Sequence, residues 1–221
     1  MSRLELHVAE NPALQRILLE LRDEHTEPWR FRELLRLAGI LLGYEAARFL
    51  PSRRDTVRTP LGATASAVRV ADEELVVVAV LRAAAPMAMG LLELYPRAVL
   101  GFAAATRLED TGRQQEGRLV FDVEVPYWRV PPVKDKTVIA VDPMLATGST
   151  LSRIVARLER EGAKRIVVVS LIATREGLET LREAVKGEIA VVVGAVDPEL
   201  NEKGFIVPGL GDAGDRSFGE A

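Results

Sequence analysis

Residues 138–150 read Val138-Ile139-Ala140-Val141-Asp142-Pro143-Met144-Leu145-Ala146-Thr147-Gly148-Ser149-Thr150. Four apolar residues in a row, without alternation, predict a strand covered on both faces. A carboxylate ends that strand, a turn of small and hydroxyl-bearing residues follows, and Leu151 to Glu161 continues with helical spacing. A strand–loop–helix unit of this kind places ligands beyond the carboxyl end of the strand. Asp142 then stands where it can accept hydrogen bonds from sugar hydroxyls or hold a hydrated cation. The amides of Ala146 to Thr150, with the hydroxyls of Thr147, Ser149 and Thr150, point at an anion on the helix start. No lysine follows Gly148, so the loop is not a Walker A loop. The same residues also read as a plain turn and helix cap; their combination favours phosphate binding.

Working outward, Leu75 to Leu81, Ala98 to Ala105, Ile166 to Leu171 and Ile189 to Ala195 are further short runs rich in Val, Ile and Ala. Between them, Met87 to Leu94 and Gly177 to Val185 are compatible with helix. Strand and helix alternate, which predicts an α/β fold: an open, mostly parallel sheet flanked by helices. Residues 1–50 read as a helical section. Asn11-Pro12 and Thr26 to Pro28 act as start signals, and apolar residues recur at spacings of three and four from Leu14 to Phe49. Leu61 to Val70 reads as an edge strand. Residues 112–132, charged and proline-containing, read as a hairpin arm or a mobile loop. The expected organisation is one domain over residues 1–221.

The chain has 221 residues and no cysteine, which removes disulfide scaffolds, iron–sulfur sites and thiol nucleophiles together. With 29 Lys+Arg against 32 Asp+Glu, the formal charge of −3 provides no overall cationic surface for nucleic acid. No apolar run approaches the 18 residues of a membrane span, and residues 1–20 show no secretory pattern. A cytoplasmic protein is expected. His7 and His25, the only histidines, belong to no metal-ligating or triad spacing.

Two other stretches carry chemistry. Leu81-Arg82-Ala83-Ala84-Ala85 puts an arginine at a strand end among residues with little bulk. There it serves either as a fork of donors for phosphate or as the partner of a carboxylate. Residues 204–216, GFIVPGLGDAGDR, contain a match to G-x-G-x-x-G that is a decoy, because it neither follows a first strand nor opens a βαβ unit. What remains is a glycine-dense loop whose bare backbone can hydrogen-bond the edge of a small planar ligand, with Asp212 and Asp215 close by. Ser66 and Ser170 lack a nucleophile-elbow context. Glu109 and Asp110 follow Arg107 and face solvent or a site. Trp29 and Trp128 read equally as core, interface or stacking residues.

At these loops the chain resembles the uracil phosphoribosyltransferase family. The family signature VDPMLATGGS corresponds to Val141 to Thr150, and GYIVPGLGDAGDR corresponds to Gly204 to Arg216. Asp197, Leu200 and Asn201 fit its D-x-x-L-N-x-x-G, and Phe31 to Leu34 with Leu42 to Ala46 fit its FRELA…LLTYEA helix. The resemblance implies a type I phosphoribosyltransferase fold that joins uracil to 5-phospho-α-D-ribose 1-diphosphate, giving UMP and diphosphate. It implies that Asp142 holds the ribose hydroxyls and that Ala146, Thr147, Gly148, Ser149 and Thr150 wrap the 5′-phosphate. It assigns Arg82, Ala83 and Arg107 to the diphosphate, and Phe205, Ile206 and Gly211 to uracil. Asp212 stands beside the sugar and the diphosphate-held Mg²⁺, with no metal ligand otherwise assigned. Asp142, Arg82 and Asp212 are the catalytic set, and a homo-oligomer is implied.

The departures are specific. The family's PILRAG is AVLRAA here, so Ala84 replaces a glycine and Pro86 follows soon after. If that position required a left-handed backbone, alanine would cost about 1–2 kcal/mol; a loop rebuilt around Pro86 would not require it. Ser149 replaces a second glycine, Phe205 a tyrosine, and Glu27 a common lysine. Two alternatives therefore stay open: a non-catalytic protein that binds UMP or the diphosphate sugar, and a transferase for another base.

Overall fold

The computed structural model describes residues 3–115 and 117–220, omitting the side chains of Arg3 and Glu109. Its main sheet takes seven strands in the order β1-β10-β9-β7-β4-β5-β6, and a short eighth, β8, pairs with β9. These are β1 (Arg3–Val8), β4 (Leu75–Leu81), β5 (Val99–Gln115), β6 (Arg118–Arg129), β7 (Thr137–Val141), β8 (Met144–Leu145), β9 (Arg165–Thr174) and β10 (Glu188–Asp197). All neighbours run parallel except β5 and β6, which form an antiparallel hairpin. The runs expected to be covered on both faces are so covered. Every residue of β7 is buried, as are nine of ten in β9.

Helices close both faces. On one lie α1 (Pro12–Arg22), α2 (Pro28–Ala46) and α3 (Ala85–Leu94), whose Leu14, Phe31, Leu35 and Met87 meet Val77, Ile139 and Val169 of the sheet. On the other lie α4 (Ser149–Arg160) and α5 (Arg175–Ala184), whose Ile154, Val155, Leu158 and Leu181 meet Val138, Ala140 and Val168. Alternate residues of one strand thus supply two cores, the burial geometry of a doubly covered parallel sheet. Asn11 caps α1 by accepting from the Ala13 amide at 2.9 Å, and proline opens α1, α2 and α3. No helix among the described residues is long and apolar enough to cross a membrane.

Two sequence expectations need correction, and a third is met with different bounds. Residues 1–50 are not all helical: Arg3–Val8 is a strand that adds to the outer edge of β10. Its Leu4 and Val8 pack under one face while His7 lies on the other, a period of two that the helical reading passed over. Leu61 to Val70 is not an edge of the main sheet. Its ordered part, β3 (Thr64–Val70), pairs only with β2 (Ser52–Arg58) in a separate two-stranded ribbon. The ribbon is almost wholly exposed and has little apolar surface to bury against the sheet. Residues 112–132 lie largely in a hairpin that starts much earlier, since β5 continues unbroken from Val99 to Gln115.

Candidate functional site

The ends of β4 and β7 and the middle of β5 open onto a cavity of about 380 Å³. Arg82 and Ala83 enter it from the end of β4, Arg107 from β5, and Asp142 from the end of β7. Ala146, Thr147, Gly148 and Thr150 form its floor, and Phe205, Ile206 and Asp212 close it from the C-terminal loop. Stretches as far apart in sequence as Arg82 and Asp212 thus line one space. Two expected site residues do not line it. Ser149 faces a second hollow beneath the β5–β6 hairpin, and Gly211 sits one residue from the lining Asp212.

The floor loop has a fixed backbone. Gly148 is left-handed, at φ 81° and ψ −13°, and a Cβ there would lie 2.6 Å from the Gly177 carbonyl oxygen. Gly177 is bare for the reciprocal reason, because its Cβ would fall 2.2 Å from the Ala146 carbonyl oxygen. Thr174 caps α5 by accepting from the Gly177 amide at 2.9 Å, and its hydroxyl donates to the Ala146 carbonyl at 2.7 Å. The start of α5 therefore clamps the loop that starts α4. Thr174 and Gly177 went unnoticed in the sequence, although Thr174-Arg175-Glu176-Gly177 carries a cap residue ahead of a helix.

Asp142 is partly buried and accepts only a long bond, 3.3 Å, from the Met144 amide. Burial pushes its carboxyl up from 3.8 to about 7, with the Met144 amide opposing. A carboxylate so poorly satisfied favours hydrogen-bond donors or a cation brought in by a ligand. Arg82 has the carboxylate partner that one of its two sequence readings expected. It lines the cavity while its guanidinium donates to Asp215 at 2.6 Å. The Arg107 guanidinium stacks 4.5 Å from the Phe121 ring centroid and 5.9 Å from that of Phe205.

The C-terminal loop is strapped to α1 and α2. Asp197 is buried, takes a two-pronged pair from Arg22 at 2.7 and 2.8 Å, and accepts from the Gly209 amide at 2.9 Å. Arg22 also donates to the Gly209 carbonyl at 2.6 Å. Arg216 donates to the Leu210 carbonyl at 2.8 Å and lies over the Phe31 ring. Asn201 accepts from the Phe205 amide at 2.9 Å, and Asp212 caps α6 (Ala213–Phe218) through the Asp215 amide. The Leu81–Arg82 and Val207–Pro208 peptide bonds are cis.

At Ala84 the expectation of strain is overturned. Its backbone is right-handed at φ −75° and ψ −13°, its side chain is fully buried, and Pro86 sits in the first turn of α3. The chain here enters a helix directly, so no left-handed residue is needed. His7 pairs with Glu45 at 2.9 Å and His25 lies on the exposed surface, both apart from the cavity. Trp29 is exposed, and Trp128 lies under the Arg157 guanidinium. Asp110 is exposed, while the Glu109 side chain lies outside the described ones.

A doubly covered, mostly parallel sheet that presents a strand-end aspartate and a clamped helix-start loop to one cleft has the type I phosphoribosyltransferase fold. Within that class, a model of the uracil phosphoribosyltransferase family matches residues 8–220, and the chain belongs to that family. It is 44% identical over 207 residues to the uracil phosphoribosyltransferase of Pyrobaculum islandicum, covering 92% of this chain and 94% of that one. It is 40% identical over 213 residues to that of Thermococcus kodakarensis, covering 96% and 89%. A solved structure, the AQ2163 protein from Aquifex aeolicus, superposes with a TM-score of 0.87 at 33% identity over 98% of this chain and 99% of that one.

Proposed function

We propose that this chain joins uracil to 5-phospho-α-D-ribose 1-diphosphate, giving UMP and diphosphate. The observation that carries the reading is the cavity itself, where the Asp142–Thr150 and Gly204–Asp212 segments face each other across Arg82 and Arg107. Amides and hydroxyls of Ala146 to Thr150 take the 5′-phosphate at the start of α4. Asp142 accepts from the ribose hydroxyls. Arg82, with Arg107, takes the diphosphate, and Asp215 keeps the Arg82 fork aimed. The strapped loop offers main-chain groups at Ile206 and around Gly211 to the edge of uracil, with Phe205 beside them.

In the reaction the bond from the anomeric carbon to diphosphate breaks, and the leaving oxygen keeps the electron pair. N1 of uracil bonds to that carbon and gives up its proton to the departing diphosphate or to water. Positive charge develops on the ribose, which the Asp142 carboxylate opposes, and negative charge collects on diphosphate, which the two arginines meet. No covalent nucleophile is required.

No group of three or more His, Cys, Asp or Glu among the described residues forms a metal cage. Among the described residues, Asp142 and Asp212 are the carboxylates lining the cavity, a donor set that fits Mg²⁺ held mainly through substrate oxygens and water. When bound, Mg²⁺ neutralises charge on the departing diphosphate. Self-association belongs to the same reading, since Trp29 and Tyr44 leave apolar surface of α2 uncovered. The test is to mix protein, Mg²⁺, labelled uracil and the diphosphate sugar. UMP should form, a chelator should abolish it, and hypoxanthine, guanine and orotate should give little product. Protein that binds UMP but forms none at any concentration would overturn the reading.

A further inference from the structure

Ser149 does not face the cavity that the rest of its loop lines, and its hydroxyl is engaged elsewhere. It accepts from the Phe121 amide of β6 at 3.1 Å and from the Thr147 hydroxyl at 3.1 Å. The Thr147 oxygen in turn accepts from the Ser149 amide at 3.4 Å. The hydroxyl therefore bridges the anion loop to the overlying hairpin, and a glycine at this position has no atom with which to do so. Phe121 is where the bridge gains a consequence. Its ring is buried at the edge of the site, and the Arg107 guanidinium lies over it.

That stack continues into the C-terminal loop. Arg107 also faces Phe205, and a Cβ on Gly204 would lie 3.2 Å from Arg107 Nη1, 3.2 Å from the Phe121 ring and 3.3 Å from the Thr147 methyl. Gly204 is thus the point where hairpin, arginine and anion loop converge. A shift of the Phe121 backbone cannot be absorbed locally, because the ring has Arg107 on its face and Gly204 at its edge. Two further contacts hold the same part of the hairpin: the Leu119 amide donates to Glu176, and Arg118 pairs with Glu183 at 2.5 Å. Both anchor it to α5. Of these three contacts, it is the Ser149 bond that reaches the anion loop itself.

We propose that Ser149 is a positioning residue that acts through Phe121, setting the Arg107 guanidinium over the diphosphate subsite by tying the hairpin to the 5′-phosphate loop. The proposal rests on the phosphoribosyl-transfer reading above. It divides the labour of one residue: the Ser149 amide belongs to the loop that takes the 5′-phosphate, and its side chain serves Arg107.

Inorganic diphosphate is the discriminating probe, because it carries no 5′-phosphate. Its product-inhibition constant should rise about three- to tenfold in Ser149→Ala, the effect of one lost hydrogen bond. In Phe121→Leu, which removes the ring that Arg107 rests on, adding Ser149→Ala should change that constant by less than about twofold. A third measurement needs no turnover: amide hydrogen exchange in residues 119–123 should quicken in Ser149→Ala. It separates this inference from the reaction assignment, since a chain that makes no UMP would still show it. An unchanged diphosphate constant with weakened binding of the diphosphate sugar would make Ser149 a 5′-phosphate ligand only and overturn the proposal. So would multiplicative losses in the double variant, or unchanged exchange across residues 119–123.

Discussion

Asp142→Asn separates what a residue does for the reaction from what it costs the fold. In the free protein the carboxyl is raised from 3.8 to about 7, chiefly by burial. An acid whose folded value exceeds its unfolded value holds its proton longer in the folded state. Stability therefore falls as pH rises from about 4 to about 7, and the whole penalty is present above that window. The gap corresponds to about 4 kcal/mol as a ceiling, and partial exposure of the side chain with relaxation around it leaves about 1–3 kcal/mol. Asparagine keeps the shape and does not titrate. At pH 8 the variant should melt higher by about 2–12 °C for a chain of this size, and near pH 4 the two proteins should melt alike.

Activity should move the other way. In the proposed reaction the ionised carboxylate opposes positive charge on the ribose, so its removal should slow turnover about 10²-fold, or about 2.7 kcal/mol. The parent's kcat/KM should fall on the acid side with an apparent value near 7, and the variant should lose that limb while retaining any titration of the substrate's own phosphates. Differential scanning calorimetry across pH and initial rates over the same range measure both halves. A variant that melts at or below the parental temperature at pH 8 would refute the burial argument. Near-parental turnover would show that another group holds the ribose.

Three further outcomes follow from the geometry around the site. Gly148→Ala puts a Cβ 2.6 Å from the Gly177 carbonyl oxygen at φ 81°. It should cost at least about 1–2 kcal/mol and reduce affinity for the diphosphate sugar at least tenfold, read by a thermal melt and by initial rates. Asp197→Ala leaves Arg22 without its carboxylate and frees the Gly209 amide. Chemical denaturation should show a loss of about 3–5 kcal/mol, and the KM for uracil should rise more than that for the diphosphate sugar. Ala84→Gly should not tighten diphosphate-sugar binding, because Ala84 is already right-handed; it should instead lose about 0.5–1 kcal/mol of stability by equilibrium unfolding.

The sheet was legible because a doubly covered strand leaves a mark that needs no partner to interpret. Leu75–Leu81 and Thr137–Val141 begin and end in the structure where their apolar runs do. The cavity side chains were legible in two ways: Asp142 and Arg82 stand at the ends of apolar runs, where an open α/β sheet presents side chains to a ligand, and Phe205 was picked out by the family resemblance alone. What holds those side chains was not legible. Arg22 finds Asp197 across 175 positions, and Phe121 finds Ser149 across 28; neither partner is written in the local pattern of the other. The error at Ala84 has the same origin. A missing glycine reads as strain only if the backbone is assumed to keep a left-handed turn. Pro86 in the first helical turn and the fully buried Ala84 side chain go with a right-handed backbone that alanine adopts without strain. Ser149 is the converse case, since the substitution of a glycine there adds a hydrogen-bonding atom that reaches another element. A departure from a family pattern therefore has a sign only once its contacts are known. At Ala84 the contacts remove the cost, and at Ser149 they supply a connection between the anion loop and the hairpin.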